Sequence, residues 1–308
     1  MPSDTRQPKA RAIVDAHHHV WDPRRNYHPW LCDTPPIPFR YGDYSSICAP
    51  YLPADYRADA APWIIAASVY VETEWNPADP TGEMDYVATL IADEGLPTVA
   101  VAQAWLDRAD AAAVLGSQAK RPFVRSVRHK PRTNPGPADG SPGGMTDARW
   151  RAGFARLAPL GLRFDLQTPW WHLAEAARLA ADFPATQIIL NHTGLPSDRS
   201  AAGIAGWRQA MEQLADCPNV AVKISGIGQP GVPWTVAANR GIILTTIELF
   251  GAKRCMFASN FPVDRISADF KTIFGGFEEI VADFTAAEQD ALFADNARRI
   301  YAIEVPHG

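Results

Sequence analysis

The stretch Ile13-Val14-Asp15-Ala16-His17-His18-His19-Val20-Trp21 runs an apolar segment into three consecutive histidines, with an aspartate inside the run. On a strand, successive side chains point to opposite faces. Alternation therefore puts Asp15, His17 and His19 on one face and Ala16, His18 and Val20 on the other. Two imidazoles then rise from the same side of one rigid element, an arrangement that presents a pair of ligands to a single divalent cation. No Gly-x-Gly-x-x-Gly loop follows this strand, which argues against an open dinucleotide-binding sheet and for a barrel with polar chemistry at its mouth.

Working outward, eight short apolar segments recur at about 12–19, 63–72, 98–106, 123–129, 162–168, 187–194, 219–227 and 255–262. Stretches with helical periodicity lie between them at 82–95, 108–119, 147–160, 170–183, 203–216, 234–250 and 269–283, and a last one covers 286–301. That last helix opens on Thr285 with Glu288 three residues on, a capping-box pair, and Pro169 behind Thr168 fits a first helical position after an N-cap. Eight strand–helix units predict an α/β fold, a (β/α)8 barrel built by residues 1–308 as one domain. Residues 22–60 are rich in proline and aromatics, Tyr27, Trp30, Phe39, Tyr41 and Tyr44 among them, and predict an ordered insertion over the barrel mouth. Residues 130–147 concentrate proline, glycine and serine and predict a mobile loop. Both follow strands, the end at which such barrels build their sites.

The 308 residues are 47% hydrophobic and 20% charged, with a net charge of −5. No run approaches the roughly 20 apolar residues of a membrane helix. The acidic balance offers no basic surface to a phosphate backbone, so the expected partner is a small molecule, with neither nucleic acid nor membrane involved. The polar opening MPSDTRQPKA lacks the apolar core of a secretory signal, which predicts a cytoplasmic protein. Cys32, Cys48, Cys217 and Cys255 have no CxxC spacing and read as reduced thiols. The sequence leaves the oligomeric state open.

Polar residues on the inward parity near strand C-terminal ends mark the site of a barrel. Alternation assigns Ser68, Tyr70 and Glu72 to that face of the second strand, Ser126 and Arg128 to the fourth, and Arg163, Asp165 and Gln167 to the fifth. Ile188, Leu190 and His192 follow on the sixth, Lys223 and Ser225 on the seventh, and Met256, Ala258 and Asn260 on the eighth, with Asp264 just beyond. Singly each has a structural reading, Lys223 with Asp165 as a buried ion pair for one; together they exceed what a core holds without purpose. Their mixed charge predicts a polar, anionic or polyhydroxylated substrate, with Arg128 as carboxylate clamp.

Taken in order, Asp15 to Trp21, Arg128-His129, Asn191-His192-Thr193-Gly194, Lys223-Ile224-Ser225-Gly226, Arg254 to Pro262 and Asn296 to Tyr301 resemble the amidohydrolase-related branch of the amidohydrolase superfamily. That branch includes sugar-acid lactonases and the lactonase acting on pyrone dicarboxylate. The resemblance runs from about residue 12 to about residue 302. It implies a (β/α)8 barrel, His17 and His19 at the first-strand metal-ligand positions, and His192 in contact with metal or substrate carbonyl. Two departures stand out: Asn260 occupies the place of the eighth-strand aspartate, and the fifth strand ends in Asp165-Leu166-Gln167 where many metal-dependent relatives place a histidine. No lysine ends the fourth strand, so a binuclear site is not expected. An amide has no basic lone pair, so Asn260 cannot take the proton of an attacking water, though it can orient one or donate to an oxyanion. Asp165, Glu72 and Asp264 are the candidate bases.

The expectation is a hydrolase, a lactonase opening a sugar-acid or carboxylated lactone by attack of water on the ring carbonyl. His192, Asp165, Asn260 and Glu72 would serve the chemistry, and Arg128, His129, Lys223 and Asp264 the substrate. His17 and His19 hold one zinc or manganese ion in one version of this reading and act without metal in the other. Metal-dependent nonoxidative decarboxylation of an aromatic or unsaturated acid is the alternative, and a non-catalytic sugar-acid binder a second.

Overall fold

A computed structural model of the chain describes residues 11–304, and the opening MPSDTRQPKA lies outside the described residues. Eight parallel strands pair in chain order: β1 (Ala12–His18), β2 (Ile64–Val71), β3 (Val99–Gln103), β4 (Val124–Arg128), β5 (Arg163–Leu166), β6 (Ile188–Leu190), β7 (Val220–Ile224) and β8 (Cys255–Phe257). The sheet comes round on itself where β8 meets β1. There His18 bridges Phe261, the His19 N–H donates to the Phe261 carbonyl at 2.7 Å, and the Asn260 N–H donates to the His17 carbonyl at 2.8 Å. The result is a (β/α)8 barrel. Asp15 stitches the same seam, its carboxylate accepting from the Ser259 N–H at 2.8 Å, the Ser259 hydroxyl at 2.6 Å and the Tyr56 hydroxyl at 2.8 Å.

Helices α1 (Pro29–Cys32) and α2 (Pro53–Ala60) lie within the 22–60 insertion. The outer layer continues with α3 (Gly82–Glu94), α4 (Ala111–Ala119), α5 (Ala148–Phe154), α6 (Leu173–Asp182), α7 (Ala201–Ala215), α8 (Val236–Phe250) and α9 (Phe270–Ile280). Where one helix is expected over 286–301, the chain makes α10 (Ala286–Asp290), a π turn over Ala291–Asp295, and α11 (Asn296–Ile300). The π turn buries Leu292, Phe293 and Ala294, and Asn296 then donates to the Ala252 and Cys255 carbonyls below β8. The Thr285–Glu288 capping box forms. The Thr168–Pro169 cap does not: Pro169 is extended (ψ 154°), the Thr168 hydroxyl is unpartnered, and a 3-10 turn precedes α6. Among the described residues no helix is long and apolar enough to cross a membrane. Residues 130–147 are tied to α6 and the turn before it, the Gly143 N–H donating to Glu175 at 2.7 Å and the Asn134 N–H to His172 Nε2 at 3.1 Å.

The barrel interior is a separate cluster of small and branched residues, including Val14, Val69, Val71, Val101, Ile189 and Met256. Ala297, Ile300 and Tyr301 pack onto it from the C-terminal segment. This arrangement corrects three parity assignments. The β1 register slips between Asp15 and His18, so Asp15 turns toward Tyr56 while His17 and His19 still converge. Ser68 and Tyr70 face the helical layer, meeting His18 at 3.0 Å and donating to Glu83 of α3 at 2.8 Å respectively. Ile188 and Leu190 also belong to the outer core, and Ile189 to the interior. Strands buried on both faces carry little alternation from which to phase a count.

Candidate active site

A cleft of about 300 Å³ opens at the C-terminal strand ends. One wall comes from residues at or just after the strand ends, His19, Glu72, Arg128, His192 and Asn260, and the other from the insertion, including Trp30, Phe39 and Arg40. Four non-glycine residues of its rim, Glu74, His192, Leu195 and Asn260, hold φ between 54° and 56°. Left-handed backbone at such residues costs energy and persists only where the surroundings enforce it. It is also what brings His192 into the cleft, since β6 ends two residues earlier and the chain turns there.

His17 Nε2 and His19 Nε2 stand 3.2 Å apart, and the His17 and His192 rings lie 4.7 Å apart. His19 Nδ1 lies 2.7 Å from the Val71 carbonyl, which only accepts, so Nδ1 carries the proton and Nε2 presents its lone pair. His192 Nδ1 meets the Ser225 hydroxyl at 2.9 Å, leaving Nε2 as the atom offered to a ligand. Burial, reinforced by Lys223 at His17, by Arg128 at His19 and by Arg40 at His192, holds all three rings well below the ordinary imidazole range, so they are neutral at pH 7. His18 leaves the group. It stacks on Tyr56 at 4.4 Å, and burial takes it down to about 3.

The candidate bases separate by depth. Asp165 sits beneath the cleft at 0% exposure, paired with Lys223 at 2.6 Å and accepting from the Tyr301 hydroxyl at 2.9 Å and the Asn191 amide at 2.9 Å. Asp264 is also buried, accepting from Asn260 Nδ2 at 2.8 Å, the Tyr41 hydroxyl at 2.9 Å and the Gly226 N–H at 2.9 Å; burial raises its carboxyl above the usual range. Glu72 alone of the three lines the cleft, with Arg128 on one oxygen and the Glu74 N–H on the other at 2.7 Å.

The substrate contacts expected from sequence fare unevenly. His129 turns away from the cleft, its Nδ1 accepting from the Leu106 N–H at 3.1 Å and its ring against Trp150, because β4 ends at Arg128 and the next side chain falls on the helical side. Lys223 and Asp264 do not reach the cleft wall either; the first is locked in its ion pair and the second holds Asn260 from behind. Arg128 lines the cleft, yet its three nitrogens each donate once, to Glu72 Oε1, the Glu72 carbonyl and Gln167, so the charge of the expected clamp is already paired with Glu72.

The sequence model of the amidohydrolase family matches residues 14–303, nearly the whole barrel. The chain belongs to the amidohydrolase family. An uncharacterized protein of Sinorhizobium fredii is 37% identical over 95% of this chain and 99% of its own length. An L-fucono-1,5-lactonase of Burkholderia multivorans is 25% identical, over 95% of this chain and 97% of its own. A solved amidohydrolase of Burkholderia multivorans with bound zinc superposes with a TM-score of 0.79 at 22% identity, covering 96% of this chain and all of that one.

In this amidohydrolase the histidine pair fits one divalent ion. Two nitrogens about 2.05 Å from a tetrahedral zinc stand roughly 3.3 Å apart, close to the 3.2 Å between the two Nε2 atoms. Both rings are neutral, as ligands must be. Among the described residues no set of three or more histidine, cysteine, aspartate or glutamate side chains is arranged to hold a metal, so the pair is suited to a single, weakly held ion. Lys223, Arg128 and Arg40 disfavour a dication for the same reason that they disfavour imidazolium. Sequence reasoning missed Arg40, Leu195 and Val263 on the cleft wall. The proline-rich insertion marked the region of Arg40 without marking the residue, and Leu195 and Val263 lie in the connections after β6 and β8; which of these side chains turn inward depends on how each segment packs on the barrel.

Proposed function

We propose that the protein is a lactonase. The observation that carries the reading is the base of the cleft, where His19 lines it with His17 directly behind, their neutral nitrogens 3.2 Å apart beside His192 and Asn260, with Glu72 as a carboxylate on the lining. The 25% identity to an L-fucono-1,5-lactonase supports it. Lactone carbonyls need less activation than amides, and a site short of its eighth-strand carboxylate suits them. Water attacks the ring carbonyl, Glu72 takes its proton, and a new acyl–oxygen bond forms. His192 Nε2 and the Asn260 side chain steady the charge that develops on the carbonyl oxygen. The ring acyl–oxygen bond then breaks, and the proton passes from Glu72 to the freed alkoxide. His17 and His19 are the residues that would hold a divalent ion, whose chemistry would be Lewis acidity.

Initial rates with L-fucono-1,5-lactone, aldonolactones and carboxylated lactones, with zinc or manganese supplied and with chelator, test the reading. Hydrolysis above the spontaneous rate is expected, with Glu72→Gln lowering kcat/KM by roughly 10²–10⁴-fold. A flat response across the panel would sink it.

A further inference from the structure

The polar groups facing the cleft are mostly engaged by the protein itself. Arg128 is held by Glu72 and Gln167, Lys130 by Glu74, Thr73 by Glu83 and His28, and the Trp30 indole N–H by the Thr73 carbonyl at 2.8 Å. What the cleft still offers a ligand on that side is apolar surface. Trp30 and Phe39 stack at 5.8 Å with their planes within 13°, Pro38 continues their wall, and Leu195 and Val263 add apolar surface elsewhere on the lining. Against this wall the hydroxyls of a polyhydroxylated ring would give up hydrogen bonds to water without finding replacements. An apolar or aromatic group would lose nothing by the exchange.

Arg40 is the exception. It stands on the insertion at the boundary between this cleft and a second, smaller pocket of about 120 Å³, and it lines both. Its Nη1 donates to the Gly226 carbonyl at 3.1 Å and its guanidinium lies 4.6 Å from the Tyr41 ring centroid, which fixes its direction. Among the described residues it makes no salt bridge, unlike Arg128 and Lys130. A guanidinium held by a carbonyl and an aromatic face, with donors remaining, is suited to a carboxylate.

We infer that the substrate is a lactone bearing an apolar, aryl-type substituent and a carboxylate, read by the Trp30–Phe39 wall and by Arg40. This rests on the lactonase reading and narrows it, setting aside the bare sugar-acid lactone expected from sequence. The reaction needs only water: it bonds to the acyl carbon, the ring acyl–oxygen bond breaks, and the proton ends on the alkoxide.

Three probes test the inference on the full chain: γ-phenyl-γ-butyrolactone, its β-carboxylated analogue, and D-glucono-1,5-lactone. The carboxylated phenyl lactone is expected to have the highest kcat/KM. Arg40→Gln should cut the ratio of carboxylated to uncharged phenyl lactone by roughly ten- to hundredfold, mainly through KM. Trp30→Ala should lower both phenyl substrates relative to gluconolactone. Gluconolactone turned over as well as the phenyl lactones, or an unchanged charge ratio in Arg40→Gln, overturns the inference and leaves the lactonase reading standing. Calorimetry with phenylsuccinate and gluconate separates the converse case. If no lactone opens but phenylsuccinate binds and Arg40→Gln weakens it tenfold or more, recognition of an aryl group and a carboxylate stands and the lactonase reading falls.

Discussion

Asn260 shows how a single side chain changes what a site can do. It holds left-handed backbone (φ 55°), which asparagine tolerates better than most residues, and its Nδ2 reaches Asp264 at 2.8 Å. A carboxylate at this position would face a second, buried carboxylate across the same gap. Like charges at that distance cannot both ionise without a cation between or beside them. Asn260→Asp is therefore expected to destabilise the metal-free protein by about 1–3 kcal/mol at neutral pH and to bind zinc more tightly than the parent. Thermal melts with chelator and with zinc measure both; equal melting points in parent and variant under both conditions would refute the account. The same residue-level logic reassigns the anion clamp from Arg128 to Arg40. That exchange was not legible in the sequence, because the residues that bond Arg128 lie just beyond the ends of β2 and β5.

At the level of elements, α5 illustrates a conflict between local propensity and packing. Gly153 lies in the last turn of this seven-residue helix, where alanine would ordinarily be favoured by up to about 1 kcal/mol. A Cβ there would sit 2.1 Å from the Leu106 carbonyl oxygen, on the connection that follows β3. Gly153→Ala is expected to lose roughly 1–3 kcal/mol from overpacking, visible as a lower urea midpoint; a stabilised variant would show that α5 shifts freely. The seam between β8 and β1 teaches a related lesson. Asp15 was placed by alternation beside His17 and His19, yet the bulge in β1 sends it to Ser259 and Tyr56, where it helps close the barrel under the histidines. A bulge adds a residue to one strand and is written in the pairing of two strands, so counting along one of them does not reveal it.

Across the whole molecule, the C-terminal segment and the barrel floor are tied by one buried network, in which Tyr301 donates to Asp165 and Lys223 pairs with Asp165 while lying 4.9 Å from the Tyr301 ring centroid. Removing one member of a buried ion pair strands the other, so Lys223→Met should cost about 3–5 kcal/mol and Tyr301→Phe less, about 1.5–3 kcal/mol. Chemical denaturation ranks them, and a neutral Lys223→Met would mean that Asp165 is held without its partner. The eight-unit alternation, the His17–His19 pair and the inward set on β5 and β7 were determined by the sequence itself, since strand–helix periodicity and the order of chemically distinct motifs are local properties of the chain. Tertiary structure decided which of the polar residues meet in the cleft. Asp165, Lys223 and Asp264 went beneath it, His129 outside it, and Arg40, Leu195 and Val263 came into it from connections. Depth along a barrel axis and the path of an insertion depend on contacts between segments far apart in sequence, and no periodicity within one segment encodes them.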